Sequence, residues 1–202
     1  MQAQLHLSKD KQLAHIIKGQ EAFVLEKRNQ VHLQICKSIV SQQLSTKVAA
    51  IIYTRFLQLF NSKHPRPAQI ADVPLEQLRG IGLSNAKANY VHNVCAFFME
   101  HQLTDARLNK MEDEELIDFL TQIKGVGRWT AEMILMFTMA REDVFAVDDL
   151  AIQQAMTRLY QLDARDKKAM KLAMLQIAEK WKPYRTYACK YLWGWKDGAT
   201  AP

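Results

Sequence analysis

The chain is poor in cysteine, glycine and proline, and each scarcity excludes something. Its 202 residues include three cysteines, Cys36, Cys95 and Cys189, far apart and without a Cys-x-x-Cys pair. That odd, scattered set excludes a disulfide framework and a cysteine-rich metal cluster, so reduced thiols are expected. Seven glycines and five prolines give few turns, and no segment shows the period-two alternation of a half-buried strand. No apolar run is long enough to span a membrane, and the opening residues lack the apolar stretch of a signal peptide. A cytoplasmic protein, nucleoid-associated if bacterial, is therefore expected. The six histidines show no metal-ligand spacing.

What is present is apolar residue and positive charge. Apolar residues make up 49%, with four Trp, six Tyr and eight Phe, enough for a sizeable core. Lys plus Arg number 27 against 21 Asp plus Glu, a net +6. A positive excess on a small chain favours a polyanionic partner.

Helical periodicity runs almost throughout. It predicts helices over residues 8–17 (Ser8 as N-cap), 32–41, 46–60, a short one opened by Asp72-Val-Pro-Leu-Glu76 and reaching 79, then 84–100, 113–123 and 128–140. Asp148 is expected to cap a helix to about 162, followed by 166–180 and 183–193, with a frayed end over 196–202. Two segments repeat a pattern, Gly80-Ile-Gly82 and Gly125-Val-Gly127, which hints at a repeated helix-turn-helix unit.

Gly125-Val-Gly127 lies between two amphipathic patterns, flanked by Lys124 and Arg128. Two glycines allow positive φ and a close approach of another backbone. The N–H groups opening the next helix suit a phosphate. As a bare tripeptide it is better read as an inert turn. Downstream, Asp148-Asp149 reads on its own as a helix cap, and each isolated Trp as core. Ser41-Gln-Gln-Leu-Ser45 breaks a helix. It suits a wedge loop, with Gln43 or Leu44 as the inserted side chain and Gln42 in support; an ordinary polar turn with Leu44 buried explains it equally well.

In context, Leu120-x-x-Ile-Lys-Gly-Val-Gly-x-x-Thr-Ala131 resembles the helix-hairpin-helix motif of DNA repair proteins. With Asp149 at its spacing from the hairpin, the chain resembles the helix-hairpin-helix DNA glycosylase superfamily, nearest to the bacterial 3-methyladenine DNA glycosylase II family. The likeness rests on Gly125–Ala131, on Asp143-Val-Phe-Ala-Val-Asp-Asp149, and on Trp181-Lys-Pro-Tyr-Arg-Thr-Tyr-Ala188 running into Trp193. It covers roughly residues 30–195 and implies a compact form without that family's N-terminal β-rich domain. The implied fold is all-α, two helical lobes with a DNA cleft between them. One domain, 1–202, is expected: residues 30–110 form part of one lobe, 111–165 carry the hairpin and the catalytic aspartate, and the termini pack together.

The resemblance implies roles. Asp149 is catalytic and Asp148 caps, although adjacent acids can exchange places. Trp129 stands where bifunctional members carry a lysine nucleophile, which implies a monofunctional enzyme using water. Trp129, Trp193 and Met133 hold the base; Met133 and Leu150 replace residues that are often aromatic. DNA is expected at Gln42, Gln43, Leu44, Lys124, Gly125, Val126, Gly127, Arg128 and Thr130. No cofactor is required and no iron–sulfur cluster is expected. A sodium or potassium ion is possible on the main-chain carbonyls of Thr121, Ile123 and Val126. The expected partner is damaged double-stranded DNA, bound by a monomer. The implied reaction removes alkylated purines of the 3-methyladenine type, leaving an abasic site. A glycosylase for oxidised or mispaired bases, or a non-catalytic DNA-binding module, are the alternatives.

Overall fold

Local caps set most of the helix starts. In the computed structural model, which describes residues 2–198, thirteen α-helices follow in order: α1 Gln2–Leu7, α2 Lys11–Ile17, α3 Val31–Ser41, α4 Thr46–Gln58, α5 Pro67–Ala71, α6 Leu75–Gly80, α7 Asn85–Glu100, α8 Asp105–Leu108, α9 Asp113–Leu120, α10 Arg128–Phe137, α11 Leu150–Tyr160, α12 Lys167–Ala178 and α13 Arg185–Gly198. No strand occurs among the described residues, so the fold is all-α.

Several boundaries differ from the sequence reading, each for a local reason. The expected first helix divides in two. Asp10, not Ser8, is the cap of α2, its Oδ1 accepting from the N–H groups of Gln12 and Leu13 at 3.0 and 3.2 Å. A carboxylate at an N-cap satisfies donors that the helix cannot. Asp72 ends α5 rather than opening α6, whose N-cap is Pro74. α8 was not expected, being a single turn capped by Thr104. The last helix continues through Gly198 rather than fraying from 196; residues 199–202 lie outside the described residues.

Contacts group the chain into two units, Lys27–Met139 and Met1–Glu26 with Ala140–Pro202. This differs from the division expected from sequence, which put the hairpin and Asp149 together on 111–165. The helix after the hairpin, α10, packs on α9 and α3, whereas α11 packs on α13, α12 and α2. The hairpin therefore belongs to the first unit, and Asp149 to the second with both termini.

In the first unit, α3 is the central element, packed on α4, α7 and α10. Its Ile35, Cys36, Ile39 and Val40 are wholly buried, at i, i+3/i+4 spacing, against Val91, Val94 and Cys95 of α7 among the buried residues. In the second unit Trp181 is wholly buried. Its Nε1–H and the Tyr160 hydroxyl both donate to Asp10 Oδ2, at 3.1 and 2.9 Å. One carboxylate thus caps α2 and ties it to two distant aromatic groups. Burial and the Asp10 charge push the Tyr160 phenol far up, which keeps it a donor. All three cysteines are buried thiols.

Candidate functional site

The hairpin is built by burying its aliphatic residues. Ile123 and Val126 are almost fully buried, and the Val126 N–H donates to the Ile123 carbonyl at 2.9 Å. The two glycines have separate jobs. Gly125 has φ +106°, and a Cβ there would lie 2.3 Å from the Tyr90 ring, so both conformation and space demand glycine. Gly127 has φ −91° with open space around it and is the N-cap of α10. Gly127 offers that helix no side-chain cap, and a helix N-terminus of this kind suits an anion.

Two residues expected at DNA are engaged within the protein. Arg128 was expected as a phosphate contact, but its guanidinium is held by two carboxylates: Glu114 takes Nη2 at 2.8 and 2.9 Å, and Glu132 takes Nε at 3.1 Å. Arg is well matched to such forks, and here it serves to bring α10 onto α9. Thr130 is buried at 4% exposure and faces the interior, because i+3 from the Gly127 cap lies on the packed side of α10. Lys124 is exposed, and its carbonyl accepts from Asn93 Nδ2 at 3.1 Å.

The turn between α3 and α4 stands beside the hairpin. Gln43 has φ +56° and is exposed, and Leu44 is 37% exposed, so the buried-Leu44 version of this turn is not the one adopted. Lys87 of α7 donates through Nζ to the carbonyls of Val40 and Gln42, at 2.9 and 2.6 Å, satisfying the end of α3. Desolvation lowers its pKa. Gln42 Nε2 reaches the Gly125 carbonyl at 3.4 Å. A cavity of about 550 Å³ is lined by Gln42, Gln43, Lys87, Tyr90 and Trp129, among others. Trp129 is 44% exposed, unusual for a large apolar ring, while Met133, one turn on, is half-buried. Lys87, Tyr90 and Asn93 were not singled out from sequence. Their recurrence along one helix is the only trace they leave there, and it reads as an ordinary amphipathic face.

In the second unit, the segment before α11 is fastened to the start of α13. Arg185 grips Asp143 through Nε and Nη2 at 2.8 and 3.0 Å, and Nη2 also reaches the Asp143 carbonyl at 2.9 Å. Thr186 Oγ1 donates to the Arg141 carbonyl at 2.7 Å and accepts from Val144 N–H at 3.0 Å. The Tyr187 hydroxyl donates to Glu142 at 2.8 Å. Two of the motifs quoted from sequence, 143–149 and 181–188, are thus one physical assembly.

That assembly delivers Asp149. Its backbone is extended (φ −68°, ψ 122°), and it, not Asp148, is the N-cap of α11. Asp149 Oδ1 accepts from Ile152 N–H at 2.8 Å and from Trp193 Nε1–H at 3.0 Å. The cap role assigned to Asp148 is therefore corrected: Asp148 is half-exposed and pairs with Lys171 of α12 at 2.5 Å. Trp193, expected against the base, also has a role the sequence did not indicate, since its indole N–H holds the Asp149 carboxylate. Asp149 is 8% exposed and the adjacent Leu150 67% exposed. A carboxylate so oriented can face positive charge developing on a substrate without reorganising. A Trp193→Phe variant keeps an aromatic ring but loses the indole N–H, and should slow the reaction supported by Asp149 by about tenfold, the worth of a hydrogen bond to a charged group. An unchanged single-turnover rate would show that the indole N–H positions nothing.

The geometry has relatives. Residues 36–183 match the model of the HhH-GPD superfamily base excision DNA repair protein. DNA-3-methyladenine glycosylase 1 of Schizosaccharomyces pombe is 36% identical over 162 residues, covering 79% of this chain and 70% of that protein. The crystal structure of a DNA-3-methyladenine glycosidase from Bacillus halodurans superimposes with a TM-score of 0.83 at 34% identity, over 96% of this chain and 88% of that one. The structure of the 3-methyladenine DNA glycosylase of Schizosaccharomyces pombe in complex with abasic DNA matches with a TM-score of 0.83 at 31% identity, over 100% of both chains. With a hairpin whose glycine is sterically required and a buried aspartate downstream of it, the chain belongs to the HhH-GPD superfamily of base excision DNA repair proteins.

Proposed function

We propose that the protein is a monofunctional DNA glycosylase that hydrolyses the N-glycosidic bond of alkylated purines, of the 3-methyladenine type, in duplex DNA. The observation that carries this reading is Asp149, a buried carboxylate held by Ile152 and Trp193, in a chain with Trp129 where a lysine nucleophile would stand.

Alkylation leaves the purine positively charged. When its bond to C1′ breaks, the bonding electrons go to the base, which departs neutral, and positive charge develops on the sugar. Asp149 stabilises that charge electrostatically. Water adds at C1′, its proton is lost to Asp149 or solvent, and an abasic site remains. Trp129, with Met133 beside it, offers an electron-rich surface that attracts a cationic base. The hairpin N–H groups hold backbone phosphate, and Gln43 or Leu44 fills the gap left by the extruded base. The enzyme acts as a monomer on damaged duplex DNA. No helix among the described residues is long and apolar enough to cross a membrane.

A monovalent cation at the hairpin fits the donors present. The carbonyls of Thr121, Ile123 and Val126 are neutral oxygens, suited to a hard cation. Ile123 already accepts from Val126 N–H, which leaves its second lone pair. Such an ion would supply positive charge between protein and phosphate, and no step of the reaction runs through it.

The test is base release from methylated duplex DNA, read alongside strand integrity. Free methylated purine should appear while the strand stays whole until the abasic site is cleaved by alkali, and borohydride should trap no covalent adduct. Release of 8-oxoguanine or a mispaired base instead would favour the oxidised-base reading. Tight binding to abasic DNA without release of any base would leave only a binding module.

A further inference from the structure

Beyond the hairpin and its neighbouring turn, the unit 27–139 carries a second cavity with a distinct charge. It has a volume of about 520 Å³ and lies between α3, α4 and the two flanking loops. Arg28, Lys37, Lys63 and His64 line it together with Gln30 and Tyr53, and no carboxylate is among its lining residues. In a chain whose 21 acids nearly balance its 27 Lys and Arg, this is a local excess. None of Arg28, Lys37 and Lys63 makes an ion pair among the described residues, in contrast to Arg128, Arg185 and Lys171.

The walls of the cavity are held in place. Gln30 is left-handed at φ 65°, a conformation a non-glycine residue keeps only when its surroundings impose it. Its Oε1 lies 2.7 Å from His64 Nδ1, which joins the loop after α4 to the start of α3. Lys37 Nζ stands 5.4 Å from the centre of the Tyr53 ring. Burial, then the nearby Cys36, pushes the Tyr53 phenol up to about 12, so its hydroxyl remains a donor at neutral pH. Asp105 takes the N–H groups of Gln30 and Val31. These N–H groups at the start of α3 are thereby satisfied, and attraction for an anion comes from the side chains.

Position says which anion. Lys37 lies one helical turn before Ser41, where the exposed turn with Gln43 and Leu44 begins. From Gln30 to Ser41 a helix rises about 16 Å, which along a duplex would be close to five steps of about 3.4 Å each. We propose that this cavity holds backbone phosphates of the DNA duplex about five nucleotides to one side of the damaged base, as a second grip independent of the hairpin. The proposal rests on the glycosylase reading for what DNA is bound, and its chemistry is that of phosphodiester oxygens met by Lys and Arg.

The test compares the parent with the Arg28→Gln/Lys37→Gln/Lys63→Gln variant, all three sites being exposed. Affinity for an abasic duplex is measured against salt on two lengths, about ten and about 25 base pairs, the first ending before the cavity. Thermal melting checks that the fold is kept. On the long duplex the variant should lose about two from the slope of log affinity against log salt, and about tenfold or more in affinity. On the short duplex the two proteins should coincide. Equal slopes on the long duplex, or an equal loss on both lengths, would overturn the proposal. So would pyrophosphate binding that the variant loses while the long-duplex slope stays put, which would mark a site for free anions. Failure of the parent to release methylated bases would sink the glycosylase reading while leaving a length-dependent slope change standing.

Discussion

Asp149→Asn should abolish base release, by about 100-fold or more in single-turnover rate, while abasic DNA is bound as tightly as by the parent. The magnitude is that of removing a preorganised electrostatic partner from a developing charge. The separation of rate from fold follows from the two things Asp149 does. As N-cap of α11 it accepts from Ile152 N–H, and Asn caps a helix about as well as Asp. The amide oxygen can also still receive the Trp193 indole N–H. What is lost is the negative charge. Asp149→Ala removes cap and charge together, so it should show the same kinetic defect plus about 1 kcal/mol of lost stability. Asp148→Asn is the control. That residue is half-exposed in an ion pair with Lys171, worth little in water, and its rate and melting should stay near the parent's. Were Asp148→Asn the inactive variant and Asp149→Asn the active one, the two acids would have to exchange roles.

Gly125→Ala should cost the hairpin, and Gly127→Ala should not. At Gly125 the new methyl meets two obstacles. The φ of +106° is one that L side chains rarely adopt, and the Cβ would sit 2.3–2.7 Å from the Tyr90 side chain. Strain of this kind costs on the order of 1–3 kcal/mol before any overlap is counted. For a chain of this length that is a melting temperature lower by about 2–12 °C. The overlap cannot be relieved cheaply. Tyr90 lies on α7 between Lys87, which braces Val40 and Gln42, and Asn93, which binds the Lys124 carbonyl. Moving it disturbs the turn and the hairpin together, so affinity for abasic DNA should fall by about tenfold or more. At Gly127 the φ is −91° and no atom lies within 4 Å of a Cβ, so only the preference for Gly over Ala at an N-cap remains and melting should fall by no more than about 3 °C. Tyr90→Ala combined with Gly125→Ala separates the causes: it removes the overlap and keeps the φ penalty, so recovery should be partial. Equal melting of Gly125→Ala and the parent would mean that the hairpin does not depend on this glycine.

Much of the helical layout was legible because its causes are local. Ser84, Asp113 and Asp166 stand beside helix starts that periodicity and capping chemistry indicate. The errors occurred where a distant group chose between local options. Ser8 and Asp10 are both good caps, and Trp181 and Tyr160, far along the chain, bind the second. The same holds for the aspartate pair. Nothing in Asp148-Asp149 says which residue turns inward. The clamp of Arg185 on Asp143 and of Thr186 on the segment before α11 sets where that helix begins.

Alone, then, the amino-acid sequence determined the all-α class, the hairpin's place between two helices and the membership of a repair superfamily, because periodicity, glycine spacing and motif order are properties of the chain itself. Only the tertiary structure decided that Asp149 caps α11 and is held by Trp193, that Arg128 pairs with Glu114 and Glu132, that Thr130 faces inward, and that Lys87 braces the turn. Each of these depends on which charges and hydrogen-bond donors from remote segments meet at one point, and such pairings are set by packing, which no local pattern encodes.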